Sequence, residues 1–263
     1  MNSLEKDLNF NKKEENYIHF FGTTGNKDIF FKNIRQAGGL LFSIDNTRII
    51  VDPGVNTFYK YINLYQNETI DGIILSHVHI DHSNDLNIFI ELMTNGGEHK
   101  TGTLMIPEQA IKEGVLQNYV KDFPKEVYII KSKKSFKIKN IEIISSIEHK
   151  HGVENYGFKF KTSKCNIGLV TDTAYFPELL NSYIGCEILI INVPYHIQNK
   201  PNPKHLDISN VEEFIKIIKP KKVILTHFNK NILDANPVKL AEKLSQKYGI
   251  EVISAEDNMT LKI

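Results

Sequence analysis

Short apolar runs recur along the chain, and each stops at glycine, proline, asparagine, aspartate or a charged residue. Runs of this length read as strands: Tyr17–Phe21, Gly39–Ile44, Arg48–Val51, Ile73–Leu75, Leu104–Pro107, Val127–Ile130, Ser135–Ile138 and Ile141–Ile144. A second block repeats the theme with Gly157–Lys161, Asn166–Val170, Glu187–Val193 and Val223–Leu225, closed by Ile250–Ile253 and Met259–Ile263. Between them the apolar period changes to that of a helix. Phe58, Tyr61, Ile62 and Tyr65 mark one helix within residues 55–67, and Leu86, Ile88, Phe89 and Leu92 another over Asp85–Met93. Further helices are predicted at Glu108–Gln117, at Ile208–Ile218 (stopped by Pro220) and at Pro237–Tyr248. Lys27–Gly38 has no clean period and reads either as a loop with aromatic residues or as a short core-packed helix.

Strands dominate the first part of each half and helices follow. Several buried runs end in Asp or His, at Asp52, His77, Asp172 and His227. Functional side chains of mixed α/β proteins collect beyond strand ends, so two facing sheets with helices outside would gather these four at one edge. The reading is a polar extension over residues 1–16 followed by one domain over 17–263.

Composition narrows the function classes. With 41% hydrophobic and 24% charged residues the chain is an ordinary globular one, and a net charge of +1 advertises neither nucleic acid nor membrane as partner. The basic run Lys131, Lys133, Lys134, Lys137 and Lys139 reads as a solvated hairpin, with a phosphate-backbone patch as the alternative. Cys165 and Cys186 lie in separate apolar runs, as free thiols of a reducing compartment do, and no signal-peptide core or bilayer-length run is present. The expectation is a cytoplasmic protein.

The chemistry is concentrated at Ile73-Ile74-Leu75-Ser76-His77-Val78-His79-Ile80-Asp81-His82. Neutral imidazoles and ionised carboxylates bind divalent metal. His77 and His79, two apart at a strand end, project to one side, while Asp81 and His82 follow where the chain turns. A metal site is the reading.

This His-x-His-x-Asp-His pattern resembles the hallmark of the metallo-β-lactamase superfamily, and later hallmarks follow in order: His151 six residues before Gly157, Asp172 and His227. The resemblance implies an α/β (α+β) protein, a four-layer αββα sandwich of two mixed sheets flanked by helices, with two divalent ions along one edge. It implies His77, His79 and His151 on one ion, Asp81, His82 and His227 on the other, and Asp172 between them. His149 competes with His151 for the third place, but the spacing to Gly157-Phe158 favours His151. Asp52, in Asp-Pro-Gly, would orient a ligand imidazole. The N/O ligand set suits zinc, with manganese or iron as alternatives.

Within the superfamily the chain is similar to ribonuclease Z and the cyclic phosphodiesterases. Asp172 stands where β-lactamases place a cysteine, and Lys204-His205-Leu206-Asp207 resembles the histidine motif of ribonuclease Z. The resemblance implies hydrolysis by a hydroxide shared between the ions, with Asp81 and His205 as catalytic groups; a helix-start role is the alternative for His205, and His196 is a weaker candidate. The interval from His151 to Asp172 holds two strands and a short connection, without the tRNA-clamping insertion of ribonuclease Z. The expected partner is therefore a small phosphodiester, a cyclic nucleotide or cyclic ribose phosphate, rather than nucleic acid; a homodimer is left open. An ester, lactone or thioester hydrolase and a non-catalytic metal sensor are the rival readings.

Overall fold

The structure, a computed structural model, describes residues 16–66, 68–198 and 203–263. The first sheet takes β1 (Tyr17–Phe20), β2 (Leu40–Ile44), β3 (Thr47–Val51), β4 (Gly72–Ile74), β5 (Thr103–Ile106) and β6 (Glu126–Ile129). The second takes β7 (Ser135–Ile138), β8 (Ile141–Ser145), β9 (Phe158–Lys161), β10 (Asn166–Val170), β11 (Ile188–Asn192), β12 (Lys222–Thr226) and β13 (Glu251–Ser254). The chain then returns, as β14 (Met259–Lys262), to the outer side of β1. The strand orders are β14-β1-β2-β3-β4-β5-β6 and β13-β12-β11-β10-β9-β8-β7. Both sheets are mixed: β3 to β6 run parallel in one, and β10 to β13 in the other.

Side chains alternate across a strand, and here both faces are buried. Phe42, Ile49, Ile74 and Met105 face the second sheet, where they meet Phe160, Leu169, Ile190 and Ile224. Phe42 and Phe160 stack at 4.3 Å between ring centres. The intervening residues Leu41, Ile50, Ile73 and Leu104 face outward onto α2 (Thr57–Tyr65) and α4 (Leu86–Thr94) through Tyr61, Phe89 and Ile90. On the other side Leu189, Ile191, Val223 and Leu225 pack against α6 (Ile208–Ile218) and α8 (Pro237–Tyr248) through Phe214, Ile215 and Leu244. Helix, sheet, sheet, helix is the αββα sandwich, and burial on two faces is why the strands read as continuous apolar runs.

One open alternative is decided and other expectations are corrected. Lys27–Gly38 does contain a helix, α1 (Lys27–Phe31), capped by the Asn26 side chain on the Asp28 and Ile29 amides; Ile29 is buried but Phe31 is 73% exposed. The Asp81–His82 turn is itself helical, α3 (Ile80–Ser83). The helix expected over Glu108–Gln117 is only α5 (Glu108–Lys112), ended before Gly114, whose φ of +74° suits glycine. A 3-10 helix, Pro177–Tyr183, and α7 (Lys230–Asp234) were not foreseen. The basic run does not belong to one hairpin. Lys131 to Lys134 cross from the first sheet to the second, and only the β7–β8 turn at Lys139 is a hairpin. Lys131 pairs with Glu108 at exposed positions, and the exposed Lys139 pairs with the half-buried Asp71. Both cysteines are free. No described helix is long and apolar enough to cross a membrane. The polar extension lies outside the described residues except for Asn16, and so do residues 199–202 of the loop after β11.

Candidate metal centre

Four strand ends deliver the site. β3 runs into Asp52, β4 into Ser76 and His77, β10 into Asp172, and β12 into His227. The helical turn α3 folds Asp81 and His82 back onto the end of β4, and Gly54 makes this fold possible, since a β-carbon there would lie 1.9 Å from the Asp81 carbonyl oxygen. His227 and Asp52 have φ of +68° and +51°, a left-handed backbone that costs a non-glycine residue roughly 1–3 kcal/mol. Both are held there by surroundings that need their side chains.

The inward atoms converge in overlapping groups: His77, His79 and His151; His77, His82 and Asp172; Asp81, His82 and His227; His151, Asp172 and His205. His79 Nδ1 lies 3.1 Å from both His77 Nε2 and His151 Nε2. His82 Nε2 is 3.4 Å from Asp81 Oδ2, and His227 Nε2 is 3.8 Å from the same oxygen. Asp172 turns Oδ1 to His227 Nε2 at 3.1 Å, and its Oδ2 lies 3.6 Å from His151 Nε2 and 3.8 Å from His82 Nε2, so the carboxylate sits between the two groups.

The outer nitrogens are already engaged. His77 Nδ1 donates to Ser76 Oγ (2.9 Å), which donates to Asp52 Oδ2 (2.7 Å). His82 Nδ1 donates to the same carboxylate oxygen at 3.0 Å, and His151 Nδ1 to the Lys204 carbonyl at 3.0 Å. A carbonyl or carboxylate accepts only, so these contacts place a proton on Nδ1 of each ring, and the inward-facing Nε2 is a lone pair whenever that ring is neutral. Inside the site, His82 Nε2, His227 Nε2 and His205 Nδ1 are buried without a hydrogen-bond partner. Orphaned buried nitrogens are rare in folded proteins. Lone pairs converging on carboxylates fit a divalent cation.

Electrostatics divides the groups. Burial, together with the neighbouring imidazoles, holds His77 well below the usual histidine range, and burial lowers His79 and His151 as well. Burial alone would also lower His82, but the Asp81 and Asp52 carboxylates raise it well above that range. Burial would raise Asp172, yet His227, His82 and His205 bring it well below the carboxylate range, and His82 lowers Asp81 in the same way.

The sequence model of the beta-lactamase superfamily domain matches residues 47–228, which span every one of these groups. The chain belongs to the β-lactamase superfamily. A relative from Methanocaldococcus jannaschii, itself uncharacterised, is 27% identical over 255 residues, 94% of either chain. Among solved structures of the metallo-β-lactamase fold, YhfI of Bacillus subtilis superposes with a TM-score of 0.78 at 18% identity, covering 95% of this chain and all of that one. The short form of human tRNase Z gives 0.70 at 15% identity, covering 93% and 98%. A diphosphatase of the PhnP family gives 0.68 at 17%, covering 95% and 97%. The same fold is found in a metallo hydrolase of Ignicoccus hospitalis, with a TM-score of 0.67 at 15% identity, covering 94% of this chain and 98% of that one.

His77, His79, Asp81, His82, His151, Asp172 and His227 all reach the site, and Asp52 lies behind it as the shared acceptor. His149 faces away: its Nδ1 lies 3.3 Å from the Asp172 carbonyl and its Nε2 3.2 Å from the Tyr183 hydroxyl, and burial pushes it down to about 3. His205 comes to the rim, its Nδ1 3.7 Å from Asp172 Oδ2 and its ring 4.8 Å from that of His151. His196 joins none of the groups among the described residues. Sequence reasoning missed Ser76, Asn192, whose amide donates to Asp172 Oδ1 at 2.8 Å, and Asn155, which donates to the Asp172 carbonyl at 2.6 Å. Ser76 precedes His77 directly and was open to discovery; the asparagines meet Asp172 only through the fold.

Proposed function

We propose that the chain is a binuclear metal-dependent phosphodiesterase acting on a small phosphodiester such as a cyclic nucleotide or a cyclic ribose phosphate. His77, His79 and His151 would hold one ion, and Asp81, His82 and His227 the other, with Asp172 between them; zinc suits this set best, and manganese or iron share its donors. Divalent ions supply Lewis acidity there, giving a nucleophilic water at neutral pH and countercharge for the substrate oxygens.

The observation that carries the phosphodiester reading is His205. Metal donors alone would serve any ester, whereas His205 adds an imidazole at the rim with its Nδ1 buried and unpartnered. Its place suits an acid that donates a proton to the departing alkoxide. Burial lowers its proton affinity and the Asp172 carboxylate raises it; the negative charge of a bound phosphodiester acts in the same sense as Asp172, so the substrate favours the protonated acid. Asp81, the more exposed of the two inner carboxylates, orients the attacking water and takes up its proton. A diphosphatase and a tRNase Z among the fold's neighbours support phosphate chemistry.

The test joins metal quantification to a substrate panel on one preparation: cyclic nucleotides, a cyclic ribose phosphate, an aryl phosphodiester, a tRNA precursor, a lactone and a thioester. Turnover of the small phosphodiesters is expected. Turnover confined to lactone or thioester would replace the reading with a carbonyl-ester hydrolase.

A further inference from the structure

The segment 22–25, between β1 and α1, is stitched to the end of β12. Thr24 forms single parallel bridges to Ala37 on one side and Phe228 on the other. Phe228 N donates to the Thr23 carbonyl at 2.7 Å, and the Phe228 carbonyl accepts from Thr24 Oγ1 at 2.6 Å. Both backbone polar groups of the residue after His227 are thus fixed by the N-terminal half of the chain. Gly25 follows directly, and its α-carbon lies against the imidazole: a β-carbon would sit 1.7 Å from His227 Nε2 and 2.1 Å from Cε1. Behind the segment, Thr23 Oγ1 donates to Asp257 Oδ1 at 2.7 Å and accepts from Arg35 Nη1 at 3.0 Å. The Arg35 guanidinium also donates to the Ala255 carbonyl and lies 5.8 Å over the Phe228 ring.

We propose that Thr24 and Gly25 are positioning residues: they hold His227 in its left-handed backbone with Nε2 turned into the site, so the group of Asp81, His82 and His227 is complete only while segment 22–25 is seated on β12. Three independent observations meet on this one histidine: its φ of +68°, the capture of Phe228 on both backbone groups, and the ring face that admits only glycine. A packing contact would need none of the three. The inference rests on the two-metal reading above for its consequence, but not for its geometry.

The test uses the full chain after chelator treatment, with Zn²⁺ alone as probe. Thr24→Val removes the hydroxyl at nearly constant volume. It is expected to weaken the second zinc equivalent by roughly 10–100-fold while the first changes by less than about twofold, the range found when an outer partner of a ligand is lost. Thr24→Ser restores both, and Gly25→Ala weakens the second equivalent in the same direction. In metal-free, isotope-labelled protein, the His227 ¹³Cα shift leaves its left-handed position in Thr24→Val and Gly25→Ala. If both variants keep the wild-type shift and bind both equivalents normally, the proposal is overturned. Should wild type bind fewer than two equivalents, the two-metal reading falls, and the metal-free His227 shift still decides the positioning role. Should Thr24→Val fail to fold, Asp257→Asn loosens Thr23 from behind and is read on the same two signals.

Discussion

The imidazoles of His77, His79 and His151 and the group of Asp81, His82 and His227 lie side by side, yet the first three and His82 are shifted in opposite directions. Burial keeps the first three neutral, with lone pairs facing one another at 3.1 Å. In the second group the carboxylates keep His82 charged and are themselves kept ionised. A cation entering the first group meets ligands ready for it, whereas one entering the second has to displace a proton. The difference comes from two carboxylates: Asp81 lies beside His82, and Asp52 touches His82 directly but reaches His77 only through the Ser76 hydroxyl.

Asp172 joins the groups, so its loss should have the largest effect. Asp172→Ala is expected to abolish hydrolysis and leave fewer than two metals per chain by emission spectrometry; full activity with two metals would sink the ligand assignment. Next, His205→Ala should slow phosphodiester turnover by roughly 10²–10⁴-fold with metal content unchanged. A neutral result would return His205 to the start of α6. Asp52→Asn should weaken both equivalents, by roughly 10–100-fold, and the second more than the first. Equal losses in a chelator competition would erase the contrast between direct and relayed contact.

The subtler differences are in pH. His82 sits well above the ordinary value, so the second equivalent should release a proton near neutrality, and its affinity should rise about tenfold per pH unit until His82 is neutral. The first group is already neutral there, and its affinity should be nearly flat. Parallel profiles would remove the distinction. The smallest effect is on stability without metal. A raised histidine stabilises the fold fully below its unfolded pKa, and that contribution is lost as pH climbs through the folded value; the lowered Asp172 and Asp81 lose theirs as pH falls through their folded values. Metal-free protein should therefore melt lower on both flanks, and added Zn²⁺ should flatten the alkaline one in a thermal melt.

Much of this was legible in the chain, for a physical reason. Strands buried on both faces leave apolar runs that need no partner to be recognised, and the acids and imidazoles Asp52, His77, Asp172 and His227 break those runs abruptly. What escaped depends on distant residues or on local backbone. Thr24 and Phe228 are 204 residues apart when they meet, and nothing near Gly25 in sequence says which ring it must admit. The helical turn at Ile80–Ser83 is too short to show a period, and α5 ends early because of one glycine conformation rather than a change of pattern.

The pairing of β14 with β1 joins two strands that are far apart in sequence. Tyr17 to Phe20 face Lys262 to Met259 across an antiparallel ladder, so the outer side of β1 is covered only by β14. Until β14 is made, β1 has an open edge that carries Ile18 and Phe20, side chains meant for the space between the sheets. Such an edge is a template for pairing with another chain. Deleting residues 259–263 would make that vulnerable interval permanent, and the shortened protein should be lost to aggregation although every metal-site residue is still present.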